Sequence, residues 1–137
     1  MDAKTQDLLD RTFEFGVKVL KFLVTLPSND GFRVPKYQLA KSSTSIGANY
    51  EEAQAAESKD DFIHKVAISL KETRESHYWL RVLRALTLTP SKQKTLDDLI
   101  SEAAEYKGIF SSIKLSAMKN KRMNKMENGR RKMENRQ

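Results

Sequence analysis

The sequence predicts an all-α protein, an antiparallel up-and-down four-helix bundle. Three observations carry this. Apolar residues return every three or four positions through four separate stretches. Between the stretches stand residues that stop or start helices: Pro27 with Ser28-Asn29-Asp30-Gly31, then Ser58, then Thr87 to Ser91 around Pro90. At 137 residues the chain suits one domain with one core, and short connections between long helices favour antiparallel neighbours.

The first helix is expected over about residues 4–26. Phe13, Val17, Leu20 and Val24 share one face, while Leu8, Phe15, Val19, Phe22, Leu23 and Leu26 spread around it, so the helix should touch more than one neighbour. The second, over about 36–57, begins near Pro35 or Lys36, because a proline at the first helical position gives up an N–H that would have had no partner. Its face of Tyr37, Leu39, Ala40, Ser43, Ile46, Gly47, Ala48, Tyr50 and Ala53 is small in volume and lets another backbone come close. Ser43, Gly47 and Ala48 therefore read as packing residues; one glycine does not make a phosphate loop.

Ser42 to Leu83 is too long for one ordinary helix. Ser58 can cap a new one, with Asp60 and Asp61 facing its positive end. The third helix, 58–86, carries Phe62, Val66, Leu70, Thr73, His77 and Leu80 at helical spacing, and Ile63, Ala67, Tyr78, Trp79, Val82, Leu83 and Leu86 widen the apolar surface. One core cannot use all of it, and soluble monomers avoid large exposed apolar patches. Tyr78, Trp79, Val82, Leu83 and Leu86 are thus expected at an interface between copies of the chain. The fourth helix, about 92–118, has the most regular pattern: Leu96, Leu99, Ile100, Ala103, Tyr106, Phe110, Ile113 and Ala117.

From these residues the bundle is residues 1–118, and 119–137 form a basic tail expected to fray into disorder, since Lys, Arg, Asn and Met with Gly129 bury too little to offset ordering. The net charge is +7, and the tail holds eight basic residues, Lys119, Lys121, Arg122, Lys125, Arg130, Arg131, Lys132 and Arg136, against Glu127 and Glu134. The body is close to neutral. A flexible basic tail attracts phosphate in a salt-sensitive way without reading sequence. Lys119, Lys121, Arg122, Lys125, Arg130, Arg131 and Lys132 are the candidate nucleic-acid contacts. No aromatic residue lies in the tail, so base stacking from it is not expected.

Several chemistries are excluded or disfavoured. There is no cysteine, which rules out thiolate zinc sites, redox pairs and thiol nucleophiles and fits a reducing cytoplasm. The first residues, MDAKTQDLLDRT, lack the basic and apolar regions of a signal peptide, and Val17 to Leu26 is too short and too interrupted by Lys18 and Lys21 for a membrane span. A two-metal carboxylate bundle wants a Glu-x-x-His pair on each of two helices. Here both histidines, His64 and His77, are on the third helix, and Asp61-x-x-His64 is a single half-match. Ser69 and Ser76 form no nucleophile turn and are expected to bond back to their own helix. Glu72 and Glu75 are expected to pair across helix or subunit boundaries. No metal, cofactor or catalytic residue is assigned.

Ser45-Ile46-Gly47-Ala48-Asn49-Tyr50-Glu51-Glu52-Ala53, then Ser58-Lys59-Asp60-Asp61-Phe62-Ile63-His64-Lys65, then Leu70-Lys71-Glu72-Thr73-Arg74-Glu75 and Tyr78-Trp79-Leu80 form linked motifs in one register. Together they resemble the signature of the bacterial four-helix-bundle proteins encoded in 23S rRNA intervening sequences. More remotely the chain resembles the accessory variability protein of diversity-generating retroelements, a basic ring-shaped partner of a reverse transcriptase. The resemblance implies a compact bundle assembled as a homo-oligomeric ring, commonly a homopentamer, without known catalysis and with rRNA or another nucleic acid as ligand. Two functions follow as expectations: a non-enzymatic RNA-binding oligomer, or a protein-interaction scaffold for a nucleic-acid enzyme such as a reverse transcriptase.

Overall fold

The computed structural model describes residues 1–136; Gln137, the end of the expected tail, lies outside the described residues. It contains four helices, α1 (Ala3–Leu23), α2 (Asp30–Ala53), α3 (Lys59–Leu86) and α4 (Pro90–Asn135), and no strand among the described residues.

Each boundary has a local cause. Asp2 caps α1 by accepting from the Thr5 N–H at 2.7 Å. The helix ends three residues earlier than its apolar run, and Val24 to Leu26 form a tightened turn ahead of Pro27, with Thr25 N–H donating to the Phe22 carbonyl at 2.9 Å. Helix α2 starts earlier than the proline suggested. Asn29 and Asp30 open it, so Pro35 lies inside the helix, buried, in its second turn. The carbonyl left without a partner belongs to Gly31, an exposed residue where water can take the bond. Ser58 caps α3, accepting from the Asp61 N–H at 3.0 Å with Asp60 and Asp61 in the first turn, as expected. Pro90 opens α4 at its first position.

Cross-bundle bonds fix the topology. Ser76 donates to Ser42 at 2.9 Å, Ser69 donates to the Ile46 carbonyl at 2.9 Å, and Lys65 meets Glu52 at 2.9 Å, so α2 and α3 run antiparallel. These serines bond across to α2 instead of back to their own helix, because the small α2 face brings its backbone and hydroxyls within reach. Arg84 with Asp97 at 2.8 Å ties α3 antiparallel to α4, and Gly16 and Gly47 let α1 and α2 cross closely. The remaining pair, α1 and α4, leaves an open cleft of about 590 Å³. It is bridged by Phe15 packed edge-on to Tyr106 at 5.3 Å, by Arg11 with Glu102 and by Lys92 donating to the Thr25 carbonyl.

The core holds Leu8, Phe15, Val19, Leu39, Ile46, Val66, Leu80, Leu83, Leu96, Tyr106 and Phe110 among others. On α1 the buried face is the one through Phe15 and Val19. Phe13 (69% exposed), Leu20 (43%) and Val24 (82%) face outward, so the stripe that looked like a packing face is solvent surface.

Two structural features depart further from the sequence reading. The tail is helical: α4 continues without a break through Asn135, although every residue from Lys119 to Arg136 is exposed. Good helix formers and i,i+4 ion pairs, Arg131 with Glu127 at 2.8 Å and Arg130 with Glu134 at 3.9 Å, extend a helix already nucleated in the bundle. Leu83, expected at an interface, is fully buried inside its own bundle, because it follows Val66, Leu70, Thr73 and Leu80 on the inward stripe of α3.

Candidate nucleic-acid interface

The bundle body ends near the turn between α2 and α3, where Lys121 of α4 pairs with Asp60 of α3. Beyond that clamp α4 projects alone for about another 20 Å at 1.5 Å per residue. The candidate basic residues therefore stand on a rod held at its root.

Helical periodicity sorts them onto flanks. Lys121, Lys125 and Lys132, with Asn124 and Asn128 between, join Ser58 and Lys59 of the turn around a concave corner of about 750 Å³. Lys119, Arg122 and Arg130 fall on the other side of the rod, beside Met126 and Met133. Of the seven predicted residues, three are thus brought together in one corner, and Lys59 and the asparagines join them. Sequence reasoning missed Lys59 because it lies 62 residues from Lys121 and only the fold brings them together. Lys121 is partly committed to Asp60, and Arg130 and Arg131 to their glutamates, whereas Lys125, Lys132, Lys119 and Arg122 have no carboxylate within salt-bridge distance among the described residues.

Chemically, this corner offers ammonium groups that attract phosphate at long range and amides that can donate to phosphate oxygens or base edges. It holds no aromatic platform.

The expected α3 interface residues divide. Tyr78 (53%) and Leu86 (44%) are exposed; Trp79 and Val82 are half-buried, and Trp79 packs on the core with its ring edge-on to Tyr78 at 4.9 Å. Trp79 Nε1–H points to Glu75 at 3.4 Å. Neither Glu72 nor Glu75 forms an ion pair among the described residues. Burial, and then the neighbouring Glu75, raise the Glu72 carboxyl above the ordinary range, against the pull of Lys71 and Lys41. His77 is half-buried and its imidazole is pushed down by burial, then by Lys107 and Arg81; His64 is exposed. Among the described residues no three His, Asp or Glu side chains converge as a metal site, and no helix is long and apolar enough to cross a membrane.

A solved structure of a protein of unknown function from the S23 ribosomal protein family of Bacteroides thetaiotaomicron VPI-5482 is 34% identical, covering 77% of this chain and 96% of that one, with a TM-score of 0.67. No curated protein matches the chain. The model of the family described as 23S rRNA-intervening sequence protein matches residues 4–112, which take in α1 from its second residue, α2 and α3 entire, and α4 as far as its last buried turn. With the matched region spanning all four helices of the bundle, the chain belongs to the 23S rRNA-intervening sequence protein family.

Proposed function

We propose that this protein is a non-enzymatic, self-assembling RNA-binding bundle whose nucleic-acid contacts are made by the projecting part of α4. The observation that carries this reading is the corner of Lys59, Lys121, Lys125 and Lys132, with Asn124 and Asn128 and one carboxylate, Asp60, at the root of an exposed basic rod. The family description associates relatives with 23S rRNA, which makes structured RNA the first ligand to try. Several copies, five by the family resemblance, would multiply individually weak phosphate contacts. The exposed Tyr78 and Leu86 supply apolar surface for assembly.

The test is a salt titration of RNA affinity with the full-length chain and the K121Q/K125Q/K132Q variant. Three lost phosphate contacts should flatten the slope of log affinity against log salt by about 2 on a single strand. An unchanged slope would remove the corner from the RNA interface. The scaffold reading, with a nucleic-acid enzyme such as a reverse transcriptase as partner, predicts that capture of the enzyme survives this variant.

A further inference from the structure

An exposed apolar stripe runs along the outside of α1. Phe13, Val17, Leu20 and Val24 recur at steps of four, three and four residues, beside a groove of about 520 Å³ against α2. The groove is almost wholly apolar along its floor, where Gly16, Gly47 and Ala48 keep it shallow, and Glu51 and Glu52 stand at the end nearest the N-terminus of α1. Asp10 lies one turn before Phe13 on the same side of that helix.

The projecting part of α4 has the matching pattern. Arg122, Met126, Gly129 and Met133 recur at the same steps of four, three and four, with Lys119 one turn earlier. All are exposed. Beyond the clamp this stretch, with a central glycine, packs against no other helix, so its apolar stripe is a surface in want of a partner. The rod points away from its own body beyond the Lys121–Asp60 clamp and cannot fold back onto its own α1.

We propose that the projecting part of α4 from one copy docks into the α1–α2 groove of a second copy. Charge sets the direction. Lys119 and Arg122, which have no ion-pair partner among the described residues, meet Asp10 and Glu51 at the acidic end, whereas Arg130 and Arg131 already have partners in Glu134 and Glu127. In that parallel register Met126 lies against Val17, Gly129 leaves room for Leu20, and Met133 reaches Val24. Each copy gives a rod and receives one, a head-to-tail contact that closes into a ring where the rotation permits. The Lys125, Lys132, Asn124 and Asn128 flank stays clear of this contact, so docking and the RNA corner use neighbouring faces of one helix that meet at Gly129. The inference rests on the self-assembly part of the proposed function and is independent of its RNA part.

The chain has no cysteine, which makes single-cysteine cross-linking clean. V17C and M126C proteins, otherwise full length, are mixed without RNA and mildly oxidised, with light scattering run alongside. The proposal expects the V17C–M126C heterodimer several-fold above either homodimer, and little product when N128C, on the far side of the rod, replaces M126C. Dominant V17C–V17C product would mean that two α1 faces pair, and dominant M126C–M126C product that two rods pair; either overturns it, as does equal yield with N128C. Assembly by scattering without the heterodimer would sink this docking alone. A monomer by scattering would sink both the docking and self-assembly.

Discussion

Arg11 of α1 and Glu102 of α4, 91 residues apart, meet at 2.6 Å across the bundle's sparsest seam. Glu105 approaches the same guanidinium at 3.2 Å, and the Tyr106 hydroxyl shares its one proton between the Glu102 carboxylate at 2.8 Å and the Arg11 carbonyl at 3.0 Å. Four side chains thus close a joint where backbone packing does little.

The joint predicts an acid-sensitive seam. Burial pushes the Glu102 carboxyl up, but the hydrogen bonds from Arg11 and Tyr106 outweigh it and hold it below the ordinary carboxylate range. A carboxylate depressed in the folded state contributes stability that is fully present above its unfolded value, about 4.3, and lost as pH falls through the folded one. The E102Q variant should therefore melt below the parent at pH 7, with the gap closing as pH drops below about 4. Thermal melts at pH 7, 5 and 3.5 check this; a gap that is constant with pH would mean that charge is not what Glu102 contributes.

Two helical glycines should respond to alanine with opposite signs. A Cβ on Gly47 would lie 3.2 Å from Thr12 Oγ1, 3.3 Å from the Thr12 carbonyl carbon and 3.4 Å from the Phe13 nitrogen, mostly backbone that cannot give without moving α1. Gly108 has nothing within 4 Å of a new Cβ. G108A should gain roughly 0.5–1 kcal/mol from helix propensity alone, while G47A loses that gain to the clash and falls to or below the parent. Denaturant titration of the two variants reads the difference directly.

Leu83 and Tyr78 should separate folding from assembly. Leu83 is fully buried, so L83A should cost about 2–5 kcal/mol of stability. Tyr78 is half in solvent, and Y78A should leave the stability of a single copy within about 0.5 kcal/mol. If Y78A lowers the melting temperature more at high protein concentration than at low, its surface is shared between copies.

How far the sequence was legible follows from the range of each signal. Helix α3 and its cap were readable because a Ser followed by acidic residues and an apolar period are local facts within a few turns. Pro35 misled, because a proline is tolerated in an early turn as well as at the first position when the carbonyl it leaves unpaired, here that of exposed Gly31, can bond to water. The outward face of α1 and the burial of Leu83 were not readable: when apolar residues surround a helix, periodicity cannot say which side meets a neighbour. The tail reading weighed composition against ordering entropy and left out the nucleus that the bundle provides for free extension of α4. The basic residues themselves were legible, but the corner with Lys59 and the Arg11 joint depend on pairs 62 and 91 residues apart, for which a single sequence carries no signal.

Thr87, just past the end of α3, gives the last prediction. Its hydroxyl is the one buried side-chain polar atom among the described residues without a hydrogen-bond partner. Its carbonyl is satisfied by Gln93 Nε2 at 2.8 Å, and its backbone is extended at φ −105° and ψ 123°, a conformation that β-branched residues favour. Valine has the same shape and can adopt the same backbone, so T87V removes an uncompensated desolvation and keeps the packing. A gain of about 1 kcal/mol is expected, the usual cost of a buried orphan donor. Serine at the same position keeps the orphan and loses a methyl, and should fall below the parent. Denaturation midpoints in the order T87V, parent, T87S would support this account of the α3–α4 turn; T87V at or below the parent would mean that the hydroxyl finds a partner in solution.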